Sequence, residues 1–396
     1  MKKLFKIAIV TALSASLLAG CGGSGGGSGG GADDTGPIRI GVFQPLTGAN
    51  AGGGQLEYEG VLLAHSLRKE VLGRPVELIT ADNGSDRVQA ATVGARLVEQ
   101  DQVVAVVGSW GSSLSMAAGP LFEEAQIPAI GASCTNPLVT LGNDYYFRVC
   151  FIDPYQGRVM ATYAYENIGA RTAALVVEVG SDYSVGLAAF FEQAFIDLTG
   201  DPNAILVRAE YNTGDSDFNA QLTNIANHNP DVVFAPGNFT ESALVIQQAR
   251  QLGLDTLFLG GDTWETPEFI NVGGAAVEGA VFSTFFDPDV EVTSKTRPFL
   301  DAFYASEFSI DDQGNRKEVA AVTALGFEAY NLLLDAIERA GTTDGPTLRD
   351  TIANTQNFEG VTGMVTFDEN GDAQKSAVVK TVSGGRFTYL TTVEVN

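Results

Sequence analysis

From Pro37 onward, short β-branched runs alternate with longer amphipathic segments, and this alternation constrains the chain more than any other feature. A βαβα order builds a parallel sheet covered by helices on both faces, because each crossover must carry the chain back before the next parallel strand begins. Runs at 38–43, 76–80, 103–107 and 127–130 predict the strands of a first α/β unit, with helices near 56–72, 86–100 and 113–125. A second unit has strands at 173–177, 205–209, 232–235, 257–259 and 280–285, with helices near 183–198, 219–227 and 241–252. Two doubly wound lobes are implied. Beyond Thr284 the pattern changes to helices at 295–306, 318–340 and 347–354, then to a segment at 363–367 and an antiparallel ending with turns at 368–372 and 383–385. The chain is expected to return to the first lobe and then cross once more.

The lobes echo each other. Residues 103–108 followed by Trp110 and Ser112 match 231–237 followed by Phe239 and Thr240: a buried strand, a Gly turn, an aromatic and a hydroxyl opening a helix. In doubly wound sheets ligands gather outside the carboxyl ends of strands, so two such ends facing each other make a cleft.

Composition narrows the chemistry. With 45% hydrophobic and 18% charged residues the chain can build a core, and 48 acidic against 23 basic residues leave a net charge of −25. Nucleic acid is not an expected partner, since phosphate affinity comes from clustered Lys and Arg. Three cysteines, Cys21, Cys134 and Cys150, cannot form a disulfide scaffold or a four-cysteine zinc site. A Cys134–Cys150 bond is left open, with free thiols expected because disulfide geometry is demanding. Two histidines, His65 and His228, are expected on a helix and at a helix end. The body contains no Gly-x-Ser-x-Gly, His-Glu-x-x-His, Cys-x-x-Cys or P-loop motif. Neither catalysis nor a metal or cofactor is expected.

What does converge is a polar, uncharged set at strand ends. Residues 108–113 carry Trp110 and Ser112, residues 131–137 carry Ser133 and Thr135, and neither loop contains Arg or Lys. Hydroxyls and free N–H groups at a helix start hold a small anion without a base, which favours a single carboxylate over phosphate or a dicarboxylate. Each hydroxyl could instead simply cap a helix. On the opposite lobe, Asp262 lies just past a strand end, where it can neutralise an ammonium group or cap the short helix near Pro267. Trp110, Tyr183, Phe239 and Trp264 are aromatics in loops, less easily assigned to a core.

In order and spacing, 40–48, 107–113, 133–137, 145–148, 182–186, 249–253 and 260–262 resemble the type I periplasmic binding proteins, in the leucine/isoleucine/valine-binding branch that serves ABC importers. The resemblance covers most of 38–390. It implies two Rossmann-like lobes joined by a three-crossing hinge, with lobe 1 at 37–152 plus 284–361 and lobe 2 at 153–283 plus 362–396. It places the ligand carboxylate and part of its ammonium on Ser112, Ser133 and Thr135, the acid for the ammonium on Asp262, and the aromatic lid on Tyr183. Trp110, Asn238, Phe239 and Trp264 complete the expected side-chain pocket. Two positions depart from the pattern: Asn238 replaces a tyrosine, and a tyrosine expected near Gly53 is absent. The implied protein is a monomeric, non-catalytic receptor that closes on a small aliphatic or hydrophobic amino acid and presents it to a membrane permease. A sensory or transport receptor of the same fold for an amide or aromatic acid is the alternative, and a hydrolase is the alternative from another class.

The first 20 residues read as a signal peptide: Lys2, Lys3 and Lys6, an apolar run at 7–18 that is short of the roughly 20 residues a bilayer needs, then Leu18-Ala19-Gly20-Cys21. That ending resembles the lipobox of bacterial lipoproteins, which makes Cys21 the lipidated first residue. Residues 22–31, eight Gly and two Ser, open a flexible tether at 21–36. Intact-mass measurement of detergent-extracted protein is expected to give a chain starting at a diacylated Cys21; an uncleaved leader or an unmodified Cys21 would remove the anchor.

Overall fold

The computed structural model describes residues 36–394 except residue 312. The leader, Cys21 and most of the tether lie outside the described residues. Strands β1 (Ile38–Gln44), β2 (Glu70–Val71), β3 (Arg74–Asp82), β4 (Ala105–Val107), β5 (Ala129–Gly131) and β6 (Tyr146–Arg148) form a first sheet in the order β2-β3-β1-β4-β5-β6. All its pairings are parallel except the β2–β3 hairpin. Helices α1 (Ala51–Leu67), α2 (Arg87–Glu99) and α3 (Ser112–Glu124) are its crossovers.

After α4 (Asp153–Thr162), a second βα series follows: β7 (Ala173–Glu178), α5 (Asp182–Thr199), β8 (Ile205–Tyr211), α6 (Asn219–His228), β9 (Val232–Phe234), α7 (Phe239–Gln251), β10 (Leu257–Gly260), α8 (Pro267–Gly273) and β11 (Val281–Thr284). Every residue of β7 is buried, as a central strand covered on both faces requires. Helices α9 (Thr296–Ala305), α10 (Ala321–Ala340) and α11 (Gly345–Ala353) and the small β12–β13 pair (Phe358–Glu359, Met364–Val365) come next. The closing hairpin, β14 (Ala377–Ser383) and β15 (Arg386–Val393), extends the second sheet to β15-β14-β11-β10-β9-β7-β8, antiparallel at that edge.

The strand positions follow the β-branched runs. Several elements carried no such signal: three-residue β6, α4, whose start is marked only by Asp153-Pro154, and two-residue β2 and β12; β2 replaces the end of the helix expected at 56–72, since α1 stops at Leu67. Residues 371–372 lie against β6 of the first sheet, where the Arg148 N–H donates to the Gly371 carbonyl at 3.0 Å. The last crossing to the second sheet follows them. The orders β3-β1-β4-β5-β6 and β8-β7-β9-β10-β11 are the same, so each lobe reverses its winding next to its first strand, between β1 and β4 and between β7 and β9. These reversals open the crevices in which α/β sheets hold ligands.

Cys134 and Cys150 are both free and buried. Burial pushes the Cys134 thiol up to about 11 and raises that of Cys150, so both stay protonated at neutral pH. On α1, His65 sits edge-on to Tyr330 of α10, and His228 caps the end of α6 through the Asn224 carbonyl at 2.9 Å.

Helix α10 packs against α1 through two glycines. A Cβ on Gly60 would overlap the Thr323 carbonyl oxygen, and one on Gly326 would overlap that of Glu57. Backbones this close allow Thr323 Oγ1 to donate to the Leu56 carbonyl at 2.8 Å. Gly60→Ala is expected to lower stability by about 1–3 kcal/mol through overpacking, although alanine is intrinsically the better helix former. Urea unfolding should show a lower midpoint at unchanged m.

Candidate functional site

The crevices of the two lobes meet in one cleft. Its cavity, about 420 Å³, is lined from the first lobe by the β1–α1 loop, the start of α2, the β4–α3 loop and Ser133, and from the second by residues 178–183, Thr213, Asn238, Asp262 and Thr263.

The β4–α3 loop is built for close approach. Gly108 has a φ of +116°, and a Cβ there would overlap the Phe43 carbonyl, so only glycine lets β4 turn this sharply beside β1. The chain then enters α3 at Ser112, whose first N–H groups have no partner within the helix. Ser112 Oγ accepts from the Asn136 N–H at 3.1 Å, which leaves its own proton free to donate. Trp110, buried on the same loop, is held by its N–H to Gln44 Oε1 at 2.8 Å.

The 131–137 loop is fixed from behind by Arg148, which is fully buried. Its Nη1 donates to the carbonyls of Cys134 at 2.7 Å and Asn136 at 2.6 Å, its Nη2 to Thr140 Oγ1 at 2.6 Å, and its Nε to Asp372 Oδ1 at 2.5 Å. Ser133 lines the cavity and donates its hydroxyl to Glu57.

Across the cleft, Asp262 is 4% exposed. Its Oδ1 accepts from Gln156 Nε2 at 2.8 Å and from the Tyr183 hydroxyl at 2.9 Å, while Oδ2 receives no side-chain donor. Burial pushes its carboxyl up to about 6, against the pull of those two donors. Gly261 makes the arrangement possible, since a Cβ there would overlap the tyrosine hydroxyl. Asp262 does not cap α8; Thr266 does, accepting from the Phe269 N–H at 3.3 Å. Beside it, Asp153 is fully buried next to the Thr135 hydroxyl, and Gln156 Oε1 is buried without a hydrogen-bond partner among the described residues. Burial pushes Asp153 up to about 8, and the Asp262 charge adds to the shift.

The mouth of the cleft is latched. Arg87 on α2 pairs with Asp182 at the start of α5 and also reaches Ser113 Oγ at 3.1 Å and the Gly180 carbonyl at 3.3 Å. The Asp182 N–H donates to Ser113 Oγ at 3.0 Å, and Asn238 Nδ2 to Asn50 Oδ1 at 3.1 Å. These bonds join the lobes, so the cleft is closed.

Of the residues singled out in the sequence, Ser112, Ser133, Asp262, Trp110, Tyr183 and Asn238 line this one cavity. Three others do not. Trp264 is wholly buried, stacked on Phe269 at 4.7 Å in space that the missing side chain of Gly260 leaves for its indole. Phe239 turns its ring against Trp110 at 6.2 Å, and Thr135 lies behind the cavity wall. An aromatic just after a strand can turn back under the sheet as readily as into a cleft, and sequence does not distinguish the two. Sequence reading missed Arg87, Asn50, Glu57, Asp153 and Gln156. Glu57 left a signal, as an acid among the inward positions Leu56, Gly60, Val61 and Ala64 of α1. Among the described residues no group of three His, Cys, Asp or Glu could hold a metal ion.

Comparison with known proteins agrees with this architecture. A periplasmic binding protein family model matches residues 37–386. The leucine-, isoleucine-, valine-, threonine- and alanine-binding protein of Pseudomonas aeruginosa is 30% identical over 90% of this chain and 92% of its own. An amino acid binding protein of the same organism is 28% identical over 96% of both chains. Among solved structures, a leucine binding protein LivK from Thermotoga maritima is 39% identical with a TM-score of 0.85, covering 90% of this chain and 99% of that one. The Streptococcus pneumoniae branched-chain amino acid substrate binding protein LivJ, in complex with isoleucine, is 30% identical with a TM-score of 0.82, covering 91% and 99%. The chain belongs to the periplasmic binding protein family, in its leucine/isoleucine/valine-binding branch of ABC importer receptors.

Proposed function

We propose that this chain is a lipid-anchored, extracytoplasmic receptor that closes its two lobes on a small aliphatic amino acid and delivers it to an ABC permease. The observation that carries the reading is Asp262, a buried carboxylate at the cavity wall whose only side-chain partners among the described residues are the neutral Gln156 and Tyr183. A buried acid without a counter-ion is costly, and a ligand ammonium supplies the missing charge. Opposite it, the Ser112 hydroxyl and the start of α3 offer donors and a favourable dipole to a carboxylate. Together the two walls suit a zwitterion, and Trp110 and Leu114 give apolar surface for its side chain. An amide or aromatic acid carries no ammonium and would leave Asp262 uncompensated, which favours the amino acid.

Closure over the ligand removes water from both charge contacts and presents one shape to the permease. The relatives named for leucine, isoleucine and valine support a branched side chain, and the leader ending in Cys21 supports a membrane tether.

Removing one partner of a desolvated charge pair costs about 2–5 kcal/mol, so Asp262→Asn should weaken L-leucine binding by roughly 30-fold to a few thousand-fold in calorimetry. Binding within threefold of wild type would sink the zwitterion reading. Because the ammonium needs the ionised acid, binding below pH 6 must expel a proton from Asp262, and affinity should fall as pH drops through that value. The Arg87 latch is half exposed, so Arg87→Ala should cost no more than about tenfold in affinity while small-angle scattering shows a more open ligand-free protein.

A further inference from the structure

Glu57 is fully buried on α1, facing the cleft from behind. Its Oε2 accepts the Ser133 hydroxyl, and its Oε1 accepts from Gln44 Nε2 at 2.5 Å. Gln44 in turn takes the Trp110 N–H at 2.8 Å. Both ends of this relay, Ser133 and Trp110, line the cavity, while Glu57 itself does not. Among the described residues, the surroundings provide no compensating charge. Gln44 faces it from β1, Ser133 and Cys134 from the loop after β5, Tyr146 from β6 and Gly326 from α10. Burial raises the Cys134 thiol and the Tyr146 phenol, so both remain neutral.

We propose that Glu57 is a positioning residue for the ligand carboxylate, acting through Ser133, and that amino-acid binding loads a proton onto it. With Glu57 ionised, Ser133 spends its proton on Glu57 and offers the cavity only a lone pair. With Glu57 protonated, the carboxyl O–H donates to Ser133 Oγ, Oε1 still accepts from Gln44, and the Ser133 O–H is free to donate to a ligand oxygen. The proton comes from solvent. Charge acts in the same direction, because a ligand carboxylate seated against Ser133 lies one hydroxyl away from Glu57 in a site closed to water, where two like charges cannot both persist. Burial has already pushed Glu57 up to about 7, against the donors Ser133 and Gln44, so the exchange falls at physiological pH.

The inference rests on the amino-acid reading of the cleft. Affinity for L-leucine should then fall by roughly tenfold per pH unit above pH 7. Calorimetry in buffers of different ionisation enthalpy should show proton uptake. Asp153 and Asp262 face the ammonium side and release protons if they respond, so the comparison is with Glu57→Gln, which keeps them and mimics the protonated acid with an amide donor to Ser133. That variant should bind L-leucine with a flatter alkaline profile, take up fewer protons, and exceed wild type in affinity at pH 8.5. The same slope and proton count in both proteins would overturn the proposal while leaving the amino-acid reading intact. No binding of L-leucine, L-isoleucine, L-valine or L-alanine to wild type at any pH would overturn both. As a measurement independent of the variant, the carboxyl ¹³C resonance of a wild-type glutamate titrating near 7 should shift its midpoint upward when L-leucine saturates, and an unmoved midpoint would also overturn it.

Discussion

The buried guanidinium of Arg148 is the constraint on which the binding architecture depends. It ends β6, faces the back of the 131–137 loop and bonds to Asp372 in the segment leading to the last crossing between lobes. A cation with no exposure must have its donors satisfied and its charge matched, so the loop carbonyls and Asp372 are held in one arrangement. Asp372 is fixed as well, accepting from Thr140 Oγ1 at 2.8 Å. One side chain thus sets both the wall against which a ligand carboxylate would rest and the path by which the chain reaches its final hairpin. Other buried ion pairs hold the remaining parts of the scaffold: Lys375 with Glu328, and Lys380 with Glu265 and Asp287.

The cleft itself follows the opposite rule. Among the described residues Glu57, Asp153 and Asp262 are buried acids without an ion-pair partner, all raised by burial, while Arg87, which lines the cavity, is paired with Asp182 at the mouth. Paired charges make the scaffold rigid, and unpaired ones make the cleft responsive to what enters it. On the proposed reading, a ligand ammonium would supply the charge that buried Asp262 lacks, and that differential affinity for the closed form would provide the free energy of closure. The latch bonds at the mouth are partly exposed and individually weak, so they hold the closed form without making it irreversible.

Some of this was legible in the sequence and some was not. Most strands of both lobes followed from β-branched runs, and Ser112, Ser133, Trp110, Tyr183, Asn238 and Asp262 could be selected because loops after buried strands fall at one end of a doubly wound sheet. Trp264 and Phe239 belonged to the same class of position but turned inward, since the space beside Gly260 and the face of Trp110 exist only once the lobes are packed. The absence of Arg and Lys in the 108–113 and 131–137 loops gave no sign of Arg87, which reaches the cleft from the start of α2.

The sequence by itself determined the two-lobe α/β architecture, because periodicity and turn chemistry are local properties, and it determined the residue types at the strand ends. Only the tertiary structure decided which acids are buried, which are left without partners and which hydroxyl donates to which carboxyl. Those properties depend on desolvation and on distances between residues far apart in the chain: Glu57 with Ser133, Gln156 with Asp262, Arg148 with Asp372. A carboxylate's environment is fixed by what packs around it, and that is not a local property of the chain.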